Sequence, residues 1–101
     1  MTLTPVMITI DSSDPGPLAT WWAARTGGTI EEDNDGWFYT VSLPSAPYRL
    51  AFQKVDDPTP GKNKVHLDVH TDGDLDAEVD RWVAAGATSL GTRSAGDFSW
   101  V

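Results

Sequence analysis

The chain repeats itself at an offset of sixty residues. Asp14 and Asp74 stand sixty apart, Trp22 and Trp82 do the same, and Gly27 and Gly86 fall within one residue of that spacing. Self-similarity at a fixed period outranks local pattern, because each copy is one supersecondary unit that must share its apolar face with the other. Two copies are too few for a solenoid. They imply a single domain over 1–101 with module one at about 5–55, a linker at about 56–63 and module two at about 64–101.

Within each half the order is strand, helix, then further strands. Val6, Ile8 and Ile10 alternate with Met7, Thr9 and Asp11, which predicts a strand with one core-facing side. Asp14 is placed to cap a helix with Pro15 at its first position, carrying Leu18, Trp21, Trp22 and Arg25 before Gly27 and Gly28 stop it. Thr29–Glu32, Trp37–Leu43 and Tyr48–Val55 read as the strands of a meander, with turn chemistry at Asp33–Gly36 and Pro44–Pro47. The acidic run from Glu31 to Asp35 reads as part of a solvated turn. In the second half, Val65, Leu67 and Val69 alternate with His66, Asp68 and His70, predicting a strand over Lys64–His70 with a polar face. Asp74 caps a helix striped by Leu75, Val79, Trp82 and Val83, and Gly86 ends it. Thr88–Gly91 and Asp97–Val101 read as strands around a Ser-Ala-Gly turn. A unit of this kind has its helix on one sheet face and leaves the other bare, so pairing two units encloses a lined hollow.

Composition narrows the partners. With 15 Asp and Glu against 7 Lys and Arg, the net charge is -8, which repels phosphate backbones and anionic membranes. Neither nucleic acid nor membrane is expected, and the expected ligand is a small molecule. The absence of cysteine excludes disulfides, thiolate metal ligands and a cysteine nucleophile. The first ten residues have no basic region and too short an apolar run for a signal peptide, so a cytoplasmic protein is expected.

Asp14-Pro15 with Leu18-Ala19 and Trp21-Trp22, the run Arg49 to Val55, and the run Gly61 to Asp68 carry a resemblance to a known family. In order and spacing they resemble the glyoxalase-like domains of the vicinal oxygen chelate superfamily, which also holds extradiol dioxygenases and antibiotic-binding resistance proteins. The resemblance implies an α+β fold of paired βαβββ modules forming a cupped mixed sheet with helices on one face. Relatives end with a strand after an Asp-Pro-x-Gly-Asn-x-Phe segment that does not occur before Val101, so the second module is expected to be incomplete at the C-terminus. A bare strand edge then calls for a partner, and a homodimer is expected.

Metal-using relatives carry His or Glu on the first, fourth, fifth and last strands. The resemblance places His66 at the fifth-strand position, Gln53 at the fourth, and Met7 or Thr9 at the first. His66 and Gln53 are therefore the candidates for holding a divalent metal, but one good ligand of four does not make a site. The candidate ligand-binding residues are His66, Asp68, Gln53, Thr9, Trp37, Phe38 and Trp100: polar groups facing the hollow and rings able to stack on a flat ligand. The helical Trp21, Trp22 and Trp82 are expected to pack in the core. A general base at neutral pH would have to be His66 or His70, and no nucleophile stands beside either in sequence, so no catalytic residue is assigned. The function expected is a small-molecule-binding protein without an intact metal site. Two alternatives stand beside it: a metal-dependent lyase, isomerase or dioxygenase of the glyoxalase type, and a dimeric interaction domain without pocket chemistry.

Overall fold

In the computed structural model, which describes residues 2–101, the chain divides into two compact units, the first reaching to Lys62 and the second spanning Asn63–Val101. The first begins with β1 (Met7–Ser12), where Ile8 and Ile10 are half-buried while Met7, Thr9 and Asp11 are exposed. Helix α1 (Pro15–Thr26) follows. Pro15 and Pro17 fall in its first turn, where the missing amide hydrogens have no intrahelical partner to lose, and Arg25 sits in the last turn, near the negative end of the dipole. Asp14 holds the cap position, but its carboxylate makes no capping hydrogen bond; instead its amide donates to Ser12 Oγ at 3.1 Å. The helix ends where Gly27 turns left-handed at φ 67° and its amide returns to the Ala23 carbonyl.

Three strands complete this unit: β2 (Thr29–Glu32), β3 (Phe38–Ser42) and β4 (Arg49–Lys54). A tight turn over Asn34–Gly36 joins β2 to β3, with Asn34 and Asp35 at φ 47° and 56°. Asp33 accepts from the Asp35 amide, and the Asn34 side chain donates to the Phe38 carbonyl at 2.8 Å, which holds these residues in the left-handed region that Asn and Asp tolerate best. The sheet order is β1-β4-β3-β2, with β1 parallel to β4 and the other pairs antiparallel. β4 lies between β1 and β3 with α1 against one face, and its Leu50, Ala51 and Phe52 are all buried, together with Val41 of β3 and Ala19 of α1. Helix and sheet meet through small groups, since Pro15 and Ala19, one turn apart, are the buried residues of α1. Full burial of Leu50 and Phe52 contributes about 1.5–3 kcal/mol each. Trp21 and Trp22 stack edge to face at 5.1 Å and remain half-buried, so the expected tryptophan core is made instead by the aliphatic residues, Phe52 and the small ones.

The second unit carries α2 (Leu75–Ala84) and a hairpin of β5 (Arg93–Ala95) and β6 (Phe98–Trp100). Here the cap is made: Asp74 Oδ2 accepts from the Ala77 amide at 2.9 Å. Glu78 then gathers Arg81 and the Trp82 indole N–H, the latter at 3.1 Å. Trp82 is half-buried, as Trp21 and Trp22 are. The hairpin closes through Gly96 and Asp97, with Gly96 at φ 59° in the first loop position, where a type II′ turn takes glycine.

Two expected strands are absent from this unit. Lys64–His70 keeps its alternation but enters no ladder, and Thr88–Gly91 enters none either, with Gly91 at φ 96°; the strand starts later, at Arg93, so that Ser94 and Ala95 lie in it rather than in a turn. Alternation records which side chains could share a face, whereas a strand exists only where neighbouring backbone supplies hydrogen bonds. Every residue of the second unit is at least partly exposed. The fold is thus α+β, with a full βαβββ arrangement in the first module and a helix with one hairpin in the second.

Candidate functional site

Alternation along four paired strands sorts the first sheet into two faces. Ile8, Ile10, Tyr39, Val41, Leu50 and Phe52 share the side that α1 covers. Thr9, Asp11, Phe38, Thr40, Arg49, Ala51 and Gln53 share the other, which no element of the first unit covers. Across the middle of that open face runs one row in register, Thr9 beside Ala51, Ala51 beside Thr40, and Thr40 beside Glu32. Its centre is made of short side chains, with longer ones standing on either side. The result is a hollow of about 260 Å³ lined by Met7, Glu31, Glu32, Phe38, Thr40 and Arg49.

A bulge decides the charge of this hollow. The β2–β3 register shifts between Ile30 and Glu32, making Glu31 the extra residue. Strict alternation would send Glu32 to the helix side; with the bulge, Glu32 pairs with Thr40 and lines the hollow together with Glu31. Arg49 reaches from β4 across β3 to Glu31, its Nε donating to Oε1 at 2.6 Å. That hydrogen bond, then the charge of Glu31, and lastly that of Glu32 raise the Arg49 pKa above the usual arginine value, so the guanidinium stays charged.

Thr40 is the one buried polar side chain among the described residues, 5% exposed. Its hydroxyl has no hydrogen-bond partner among the described residues, and it opens onto the hollow that it lines. A second hollow, of about 390 Å³, lies along Ile30, Glu31, Glu32, Asp33 and Asn34 and offers only acidic and amide groups beyond one aliphatic chain.

A family described as glyoxalase-like domain matches this chain over residues 7–101. The chain is a member of the glyoxalase-like domain family. No curated protein and no solved structure matches it.

The expected metal ligands are His or carboxylate groups on the open side of the sheet. In this domain the fourth-strand position is Gln53, in register with Asp11 and Phe38, and the first-strand positions are Met7 and Thr9. An amide, a thioether and a hydroxyl at these positions carry no charge to offset a divalent ion's and do not make the His or carboxylate set that the metal-using pattern calls for. Among the described residues no three His, Asp or Glu side chains converge as metal ligands would.

The remaining candidates separate by unit. Thr9, Phe38 and Gln53 share the open face, and of these Phe38 lines the hollow. Trp37 precedes β3, one position out of phase with Phe38, and its ring lies 4.9 Å from Lys54 Nζ in a cation–π contact. In the second unit His66 Nδ1 donates to Asp68 Oδ1 at 3.1 Å, with both side chains exposed, and Trp100 stacks on Phe98 at 5.9 Å. Reasoning from sequence missed Met7, Glu31, Glu32, Thr40 and Arg49 as lining groups. Arg49 was legible, since it alternates on the same strand face as Gln53; Glu31 and Glu32 were hidden because a bulge leaves no mark in a short acidic run.

Proposed function

We propose that this glyoxalase-like domain is a small-molecule-binding protein that works without an intact metal site. The observation that carries this is the hollow on the open face of the first sheet, where Thr40, nearly buried as a residue, keeps its unpartnered hydroxyl open to the hollow that Phe38 also lines. A polar group opening into a partly apolar hollow favours a ligand or solvent atom there. Titration of the protein with aromatic and carbonyl-bearing compounds, followed by proton–nitrogen correlation NMR, is expected to move the Phe38, Thr40 and Arg49 signals together. Silence at those three across the panel would remove the proposal.

The metal part has its own measurement. Protein equilibrated with zinc, nickel or manganese and then desalted is expected to retain no stoichiometric ion. Tight uptake that disappears in His66→Ala would instead favour the glyoxalase-type metalloenzyme.

A homodimer is the second part of the proposal, supported by the apolar side chains that the second unit exposes: Val65, Val69, Val83, Phe98 and Trp100. Mass in solution tests it, with a monomer at micromolar concentration counting against it. A cytoplasmic location is proposed with it, supported by the cysteine-free sequence. Among the described residues no helix is long and apolar enough to cross a membrane.

A further inference from the structure

We propose that the hollow on the open face of the first sheet selects ligands carrying a protonated amine on an apolar body, with Glu32 receiving the ammonium and Thr40 completing its hydrogen bonds. The inference rests on the small-molecule reading of this face and adds the sign of the ligand's charge.

The lining of the hollow supports it. The hollow holds two carboxylates and one guanidinium, and the guanidinium is already committed through Nε to Glu31. Glu32 has no ion pair of its own among the described residues, although its charge acts on Arg49, so the hollow carries a net negative charge that Glu32 presents. Glu32 and Thr40 are cross-strand partners, which places their Cβ atoms about 4.5–5.5 Å apart, within reach of a single ammonium group. An ammonium has only donors, and the carboxylate and the free Thr40 hydroxyl can both accept. Phe38 and Met7 line the same hollow and supply the apolar contact, the ring face also favouring a cation. An anion would meet Glu31 and Glu32 together, with only the Arg49 Nη groups in its favour.

The test uses three probes with one phenyl body and different charge: phenethylamine, phenethyl alcohol and hydrocinnamate. Each is titrated into the full chain by proton–nitrogen correlation NMR, reading the Phe38, Thr40 and Arg49 signals. Phenethylamine is expected to bind about tenfold tighter than the alcohol, with hydrocinnamate weakest. Glu32→Gln, a substitution at an exposed position, is expected to level amine and alcohol while leaving the spectrum folded. Rising salt should shrink the preference. Equal binding of amine and alcohol, or an amine preference that persists in Glu32→Gln, overturns the charge selection and leaves small-molecule binding standing. Preference for hydrocinnamate overturns it too. No response to any probe overturns the charge selection, and silence across the wider aromatic and carbonyl panel overturns the small-molecule reading as well.

Discussion

Arg49 on β4 and Glu31 on β2 are joined across the intervening β3 by a hydrogen bond of 2.6 Å, Nε to Oε1. Glu31 is the extra residue of a bulge, and the same bulge turns Glu32 onto the open face beside Thr40. One irregularity in a four-residue strand therefore sets both the tie that neutralises Arg49 and the carboxylate that remains unpaired.

Because that tie is exposed, its loss is expected to affect binding more than stability. Arg49→Met should leave the urea midpoint nearly unchanged, as exposed ion pairs contribute little, and should tighten phenethylamine binding by freeing Glu31. The pH dependence follows from the sign of the shift. A raised arginine pKa gives stability that is complete below the unfolded value and is lost only as pH climbs through the folded one. The midpoint difference between wild type and Arg49→Met should accordingly stay flat between about pH 6 and 9. A slope across that range would mean another group titrates with the pair.

Phe52 is fully buried between α1 and the neighbouring strands, so Phe52→Ala removes its transfer energy and leaves a cavity. A loss of about 3–5 kcal/mol is expected in urea unfolding. A loss below about 1 kcal/mol would show that the site collapses around the smaller side chain.

Adjacent glycines are expected to fail for different reasons. A Cβ on Gly28 would meet the Ser42 carbonyl oxygen at 2.7 Å and Val41 Cγ1 at 2.8 Å, and the former is backbone that cannot rotate away. Gly27 has open space, with Pro44 Cγ at 3.9 Å, but a φ of 67°. Gly27→Ala should cost about 1 kcal/mol of conformational strain, and Gly28→Ala about 1–3 kcal/mol of overpacking. Thermal midpoints of the two variants check the order.

The two helix caps make a matched pair. Asp74 accepts from the Ala77 amide at 2.9 Å, whereas Asp14 makes no such bond. Asp74→Ala should destabilise by about 0.5–2 kcal/mol, while Asp14→Ala should stay near zero. Equal losses at both positions would mean that the α1 cap forms in solution.

Much of the first module was legible because its signals are local. Alternation in Met7–Asp11 and Arg49–Gln53 placed β1 and β4, the Pro15 and Gly27 punctuation bounded α1, and the turn residues at Asp33–Gly36 separated β2 from β3. The second module was less legible. Lys64–His70 has the alternation of a strand without a ladder, and nothing in its own residues says whether neighbouring backbone will be there to pair. Counting within each strand separates Thr9 from Ile8 and Gln53 from Phe52, and the register between strands then puts Thr9, Gln53 and Phe38 on one sheet face. Trp37 offers a ring for stacking, but the alternation that starts at Phe38 leaves it one position out of phase, beside Lys54.

The sequence by itself determined the α+β class and the repeat at sixty residues, since these rest on periodicity and punctuation that each segment carries within it, and membership of the glyoxalase-like family, which rests on the match over residues 7–101. Only the tertiary structure decided which side chains meet. The row of Thr9, Ala51, Thr40 and Glu32, the bulge at Glu31, and the pairing of Arg49 with Glu31 all join residues far apart in the chain. Such contacts depend on strand register, and a shift of one residue in register would send every one of these groups to the opposite face.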